Sequence, residues 1–426
     1  MKTKAEILNL VEEEDVEFIR LQYTDMFGNL KNAAVTASQL ERVLDKKYAF
    51  DGAVIFGMEE KMEVDYYLCP DLSTFTLLPW RPQHGKVARM LCDIYDEDGN
   101  VLEMSPRAIL RKVIQEAEAK GYTFYIDPEY EFFLFHTDED GIPTTLTHEQ
   151  AGYMDVGPLD LGENPRRDMV LALEEMGFEI ESSHHEVAPG QQEIDFQEGE
   201  PMDIADSMVT FKSAVKSIAR RFGLHATFMP KPKQGVAGSG LHLNISVYKD
   251  GRNLFNSADR KEVREEAKWF MGGIMKHAKG ICAITNPIVN SYKRIMSGFG
   301  APKEILWARR EKHAMMKVRT LLGEDTKVEL RFPDPSANPY LALAVCISAG
   351  MEGLENHIEP GEESVSMGTL PGTLREAIGC IQEDPFVEKV MGKEFLNVYT
   401  DAKMKEWDEY MSQVCDWEIN KYLNRV

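Results

Sequence analysis

"HHEVAPGQQEIDFQ" (184–197) sets two glutamates, Glu186 and Glu193, on either side of a Pro189-Gly190 pair. The flanking residues alternate as they do in strands, and Pro-Gly is turn chemistry, so the stretch reads as two neighbouring strands. A carboxylate carried into a buried sheet is costly unless a cation or hydrogen bonds compensate it. The rest of the chain should therefore reveal what else would hold that cation.

Three further stretches share the feature. "PEYEFFLF" (128–135) carries Glu129 and Glu131 two apart, on one face of a strand, beside Phe132, Phe133, Leu134 and Phe135. "GLHLNISV" (240–247) points His242, Asn244 and Ser246 one way and Leu241, Leu243, Ile245 and Val247 the other. "KVELRFPDP" (327–335) sets Glu329 and Arg331 against Val328 and Leu330. A single such glutamate is more often a solvated charge on an edge strand. Five of them with a histidine, repeated over four strands, form a ligand set. Carboxylates with one imidazole suit Mg²⁺ or Mn²⁺, whereas zinc would draw more His or Cys. Five acids have the capacity for two or three divalent ions, and such clusters accompany phosphoryl transfer. The chain has no G-x-x-x-x-G-K-[ST] segment. "GVAGSG" (235–240) precedes a strand and offers no helix terminus to a phosphate. Spacing alone stops at Mg-dependent phosphoryl chemistry.

Composition narrows the setting. The 426 residues exceed a typical single domain, and a net charge of −23 argues against a nucleic-acid surface. No apolar run reaches the roughly 18 residues of a spanning helix. The N-terminus turns acidic where a signal peptide would be apolar, and it reads as the first helix of a cytoplasmic protein. Six scattered cysteines form no C-x-x-C pair and read as reduced thiols.

Residues 1–103 read as a small, mostly β domain. Strand–turn–strand patterns are expected over 16–35 and again over 86–103, each around a Gly-containing turn. Ser105-Pro106 then opens a helix that Gly121 stops, which puts the boundary before residue 104. Helices are expected over 165–176, 204–222, 263–279, 338–355 and 402–426, and a surface loop over 359–368. The chain is α+β.

Taken in order, "RLQYTDMFGNLKN", "FDGAVIFG", "PEYEFFLF", "GPLDLGENPRRDMVLALEEMGFEIESSHHEVAPGQQEIDF", "GSGLHLNIS", "NPIVNSYKR" and "VELRFPDPSANPYLALAV" resemble the bacterial and archaeal class I glutamine synthetases over nearly the whole chain. The resemblance implies a β-grasp N-terminal domain (1–103) and a catalytic domain (104–426) with a curved antiparallel sheet flanked by helices. It also implies a dodecamer of two hexameric rings, with active sites between subunits and a helical tail that grips the opposite ring. The implied chemistry is ATP-dependent: glutamate becomes γ-glutamyl phosphate, and ammonium or another amine displaces the phosphate.

The resemblance distributes roles as well. One Mg²⁺ or Mn²⁺ would be held by Glu131, Glu186 and Glu193, another by Glu129, His242 and Glu329. Glu181, Asn244 and Ser246 match nucleotide contacts, and Gly238, Arg294 and Arg331 match positions around glutamate. Asp51 matches an aspartate offered to the ammonium site of a neighbouring subunit.

The departures from the family pattern are concentrated. Gly300, in "SGFGAPKE", stands where the flap glutamate is expected. Lys312 and Lys317 replace two phosphate-site arginines, Arg319 falls where a proline is usual, and Lys327 replaces another arginine. Charge survives, but the planar fork does not. Ala53-Val54 and Phe56 make the ammonium-side loop more apolar. Three activities are compatible with this pattern. The first is a ligase acting on ammonia or another amine. The second is a paralogue that binds nucleotide or glutamate, or partners a true synthetase, without turnover. The third, which the segments favour least, is another phosphoryl transfer of the guanidino-kinase type.

Overall fold

Two sheets organise the chain. The structure, a computed structural model, describes residues 2–57, 64–81, 84–259, 262–320 and 325–425. The first sheet holds β1 (Val16–Thr24), β2 (Leu30–Thr36), β3 (Tyr48–Asp51), β4 (Asp65–Pro70), β5 (Thr76–Leu77) and β6 (Lys86–Tyr95). Its order is β2-β1-β6-β4-β3, with β5 on β6. β1 and β6 run parallel, and β2 is antiparallel to β1. The helix Ala37–Lys46 buries Leu40 and Val43 in the core that also takes Ile19 and Leu21 of β1. One helix clasped by a mixed sheet with parallel central strands is a β-grasp.

The hairpin expected over 16–35 forms as β1–β2. The one expected over 86–103 does not, since Val101 makes only an isolated bridge to Tyr95. Asp96 and Asn100 close the turn, but the returning arm bends at once. Ser105 N–H donates to Leu102 O, and its hydroxyl caps the helix Pro106–Ala119, so no residues remain to extend a strand.

The second sheet holds β7 (Tyr122–His136), β8 (Ile180–His185), β9 (Gln191–Phe196), β10 (Leu224–Thr227), β11 (Leu241–Lys249), β12 (Arg252–Asn253), β13 (Trp307–Ala308), β14 (Met316–Arg319) and β15 (Lys327–Leu330). Its order is β13-β14-β15-β11-β7-β9-β8, antiparallel except for β13–β14. The strands carrying the glutamates and the histidine are thus neighbours in one sheet. Along β7 the two faces separate as the period-2 pattern requires. Tyr130 and Phe132 enter an aromatic cluster with Phe211 and Phe228, while Asp127, Glu129 and Glu131 line a cleft. Each fully buried phenylalanine of that cluster contributes about 1.5–3 kcal/mol.

The expected helices appear at Glu163–Glu175, Pro201–Arg221, Glu265–Thr285 and Pro339–Asn356. The tail differs from its expectation over 402–426. One helix, Lys393–Ser412, ends where Gln413 turns extended, and a separate short helix spans Asp416–Tyr422. Cys415 starts the second helix, its N–H held by Glu418 Oε2 at 2.9 Å.

Candidate active site

Strand register builds the site in rows. Glu329 of β15 lies opposite Asn244 of β11, which lies opposite Asp127 of β7. His242 lies opposite Glu129, which lies opposite Asp195 of β9. Glu131 lies opposite Glu193, which lies opposite His184 of β8. Side chains on one face of neighbouring strands converge, and the sheet's twist draws these rows into one cleft of about 800 Å³.

Two groups with no common member face that cleft with ligand atoms close enough to share an ion: Glu129, His242 and Glu329, and Glu131, Glu186 and Glu193. A third, His184, Glu193 and Asp195, shares Glu193 with the second. Glu186 lies one residue beyond β8 rather than within a strand, and its N–H still bonds Gln191 O at 2.9 Å. Glu131 Oε2 accepts from Gln191 Nε2 at 2.7 Å and Gly240 N at 2.8 Å, which leaves Oε1 for the cleft. His242 Nδ1 bonds Glu129 Oε2 at 2.8 Å and lies 3.8 Å from Glu329 Oε1, so this ring nitrogen faces both carboxylates of its group. Oxygen donors with a single imidazole are a hard-cation set, so these residues fit Mg²⁺ or Mn²⁺.

The two groups differ in charge. Burial raises the Glu186 and Glu193 carboxyls, Glu193 well above the usual range, and the neighbouring Glu131 charge adds to both. Burial works to raise Glu129 too, but the His242 hydrogen bond and the charges of His242 and Arg319 outweigh it and hold Glu129 far down. Burial pushes the Asp127 carboxyl up to about 7, even with Lys327 Nζ 3.1 Å away. The sign for stability follows by linkage. Carboxyls raised in the folded chain contribute stability that is complete below their unfolded pKa and lost as pH rises through the folded one. The metal-free chain is therefore expected to lose this contribution towards neutral pH, where a divalent ion restores it. Saturating Mg²⁺ or Mn²⁺ should raise Tm by several degrees at about pH 7.5 and by much less at about pH 5. Calorimetry across pH checks this, and equal shifts at both ends would contradict it.

The other expected residues divide by position. Glu181, Asn244, Lys312, Lys317, Lys327 and Arg331 line the cleft. The β8–β9 register slips between Ile180 and Ser182, a bulge that carries Glu181. Arg331 Nη1 bonds Glu329 Oε1, while its Nε–H is buried and has no acceptor among the described residues. Arg294 lies under the cleft, its donors on the carbonyls of Arg331, Phe332 and Pro333 at 3.0–3.1 Å. Gly238 admits no side chain, since a Cβ there would sit 2.2 Å from Pro230 O. Ser246 is fully buried and outside the cleft lining. Asp51 does not line its own chain's cleft and caps the short turn Gly52–Phe56 through Ala53 N. Gly300 has φ +93°, and a Cβ there would lie 4.0 Å from Lys312 Cε.

Sequence reasoning passed over Asp127, Asp195 and His184, which also line the cleft. Asp127 and Asp195 sit two residues from Glu129 and Glu193, so the same alternation points to them. A further acid–histidine group, Glu149, Asp160 and His185, is saturated by its own neighbours. Glu149 takes His185 Nε2 and the Gly190 and Leu161 amides, while Asp160 takes Arg166 and the Gly162 amide. It braces the 184–193 turn, and none of its three members lines the cleft.

Residues 15–97 match the family model described as glutamine synthetase, beta-Grasp domain, and residues 103–422 match glutamine synthetase, catalytic domain. The chain belongs to the glutamine synthetase family. It is 48% identical over 438 residues to a glutamine synthetase of Clostridium saccharobutylicum, covering 99% of each chain. It is 44% identical over 439 residues to one of Staphylococcus aureus strain Mu50, covering 99% of this chain and 98% of that one. Among solved structures it resembles a "GmaS/ADP complex-Conformation 1" with a TM-score of 0.89 at 28% identity, over 98% of this chain and 99% of that one. It also resembles an "Apo GmaS without ligand" with a TM-score of 0.88 at 29% identity, over the full length of both. Both halves of this glutamine synthetase family member therefore match over nearly their whole extent. No helix among the described residues is long and apolar enough to cross a membrane.

Proposed function

We propose that the chain is an ATP-dependent ligase that joins ammonia, or another amine, to the γ-carboxylate of glutamate through γ-glutamyl phosphate. The observation carrying this reading is the pair of carboxylate groups on one sheet face, walled by Lys312, Lys317, Lys327 and Arg331. In it, Glu131, Glu186 and Glu193 hold one divalent ion and Glu129, His242 and Glu329 the other. Bound divalent ions supply Lewis-acid charge to the transferring phosphoryl group. The chain's own groups do the positioning. The Arg331 guanidinium, which lines the cleft, receives a carboxylate. Arg294 steadies that segment from beneath through three backbone carbonyls, and Gly238 lets the backbone approach the amino acid. Glu181 and Asn244 serve the nucleotide side in this reading, without the buried Ser246, and Lys312, Lys317 and Lys327 offer ammonium groups to phosphates.

Asp51 serves a neighbouring subunit in this reading. The exposed apolar tail side chains Val414, Trp417 and Leu423 are 73%, 61% and 69% accessible and supply a surface for assembly. Native mass spectrometry should find a dodecamer. A stable monomer with full activity would remove Asp51 from the site.

A second reading, a relative without turnover, draws on one observation. Residues 298–300 all have positive φ, a backbone that disfavours a glutamate at Gly300. Purified protein with Mg·ATP and glutamate decides between the two. Ammonium, or one of a panel of alkylamines, should stimulate phosphate release and yield a γ-glutamyl product. Bound ATP and metal with no release under any amine would favour the second reading.

A further inference from the structure

We propose that Arg319 has two stations, resting on the Glu129–His242–Glu329 group and swinging to the nucleotide phosphates when a divalent ion takes that group. The proposal rests on the ligase reading for its nucleotide, but its evidence is the chain's own geometry.

Arg319 ends β14, two residues beyond Lys317 and on the same side of the strand. Its register partner on β15 is Lys327, a like charge directly opposite. The two cations part company. Lys327 Nζ goes to Asp127 and Glu198, each at 3.1 Å. Arg319 reaches past β15 and β11 to Glu129, with Nη1 2.5 Å from Oε1, 3.3 Å from Asn244 Oδ1, and Nε 4.0 Å from Glu329 Oε2. Glu129 Oε1 also accepts from Asn244 Nδ2 at 3.0 Å, and Glu329 Oε1 is engaged by Arg331. Both carboxylates of this group therefore face guanidinium ions. Among the described residues, the Glu131–Glu186–Glu193 group has no Lys or Arg ion pair, only His184 at 3.8–3.9 Å.

A divalent ion bound through Glu129 and Glu329 needs the oxygens that Arg319 engages and repels the guanidinium beside it. Arg319 has somewhere to go. Its side chain is 36% accessible and lines the same cleft as Lys312 and Lys317. Its planar fork suits phosphate, whereas Lys317 offers only a point charge. Nucleotide gives the displaced guanidinium a new partner, so the second ion and the nucleotide should bind cooperatively, each tightening the other by the same factor.

The test uses the full-length protein with Mn²⁺ as probe, free Mn²⁺ being read by electron paramagnetic resonance, and ADP as nucleotide. In the wild type one Mn²⁺ should bind tightly without ADP, and a second should tighten on the order of tenfold with it, after correction for Mn·ADP. Arg319→Gln should take the second Mn²⁺ without ADP, lose the coupling, and bind ADP on the order of tenfold more weakly. Arg319→Lys should restore part of the ADP affinity. Retained binding of the first Mn²⁺ certifies the fold of each variant. Two equal Mn²⁺ sites in the wild type without ADP, or unchanged coupling in Arg319→Gln, would overturn the proposal. No step here requires turnover. Coupling without ligase activity would sink the ligase reading alone, and activity without coupling would sink this one alone.

Discussion

Glu193→Gln is expected to lower kcat/KM by on the order of 10³-fold and, in the metal-free protein, to raise Tm. Both effects come from one crowded position. Glu193 is buried on β9 opposite Glu131, with Glu186 and Asp195 close by, and their charges join burial in driving its carboxyl up. Without a divalent ion this cluster is like-charge repulsion in a low dielectric. An amide removes one charge, keeps the shape and offers a permanent N–H to Glu186. In the proposed ligase the same change removes an anionic group that would hold the divalent ion, and with it the charge balance that a hard cation demands. Glu129→Gln should behave oppositely in the metal-free chain. That carboxylate compensates the Arg319 guanidinium and holds the His242 ring, so its loss leaves Arg319 without its nearest anion and lowers Tm. Thermal unfolding of the two variants in chelator, beside their steady-state kinetics, makes the comparison. A metal-free Glu193→Gln protein less stable than wild type would refute the repulsion argument.

The acid-bearing strands were legible because two periodicities coincide in them. Apolar residues alternate with acids on stretches otherwise fit for burial, and that conflict has few physical solutions. Asp127 and Asp195 were equally legible by the same alternation, and only attention to the glutamates hid them. Arg319 was not. Its contact with Glu129 spans 190 residues and depends on the order β14-β15-β11-β7, which no local pattern encodes. The broken tail and the missing second arm after β6 fail for a different reason. Both stretches carry the right periodicity, but a capping residue, Cys415 or Ser105, restarts the chain in another helix. A cap uses one side chain and a few dihedral angles, so it leaves little trace in a periodic pattern.

Arg107→Ala should cost about 3–5 kcal/mol of stability, the penalty for leaving buried partners of an ion pair uncompensated. Arg107 is the second residue of the helix Pro106–Ala119 and its side chain is 7% accessible. Nη1 meets Asp93 of β6 at 2.7 Å, and Nη2 meets Asp71 at 2.8 Å. Nε and Nη2 clamp Asp206 of the helix Pro201–Arg221 at 3.0 and 2.8 Å. Tyr340 Oη–H donates to the same aspartate at 2.6 Å. One guanidinium thus joins the β-grasp sheet to two helices of the catalytic half. Its planar fork serves three carboxylates at once, and the compact ammonium of Arg107→Lys should recover only part of the loss. Denaturant unfolding at a fixed protomer concentration measures both variants, since assembly would otherwise shift the midpoint. If the staple also sets how the β-grasp half sits, its loss should lower activity by misplacing Asp51 relative to a neighbouring cleft. Far-UV circular dichroism should meanwhile keep its native form below the transition. A loss under about 1 kcal/mol would mean that apolar packing between the halves, and not this arginine, holds them in register.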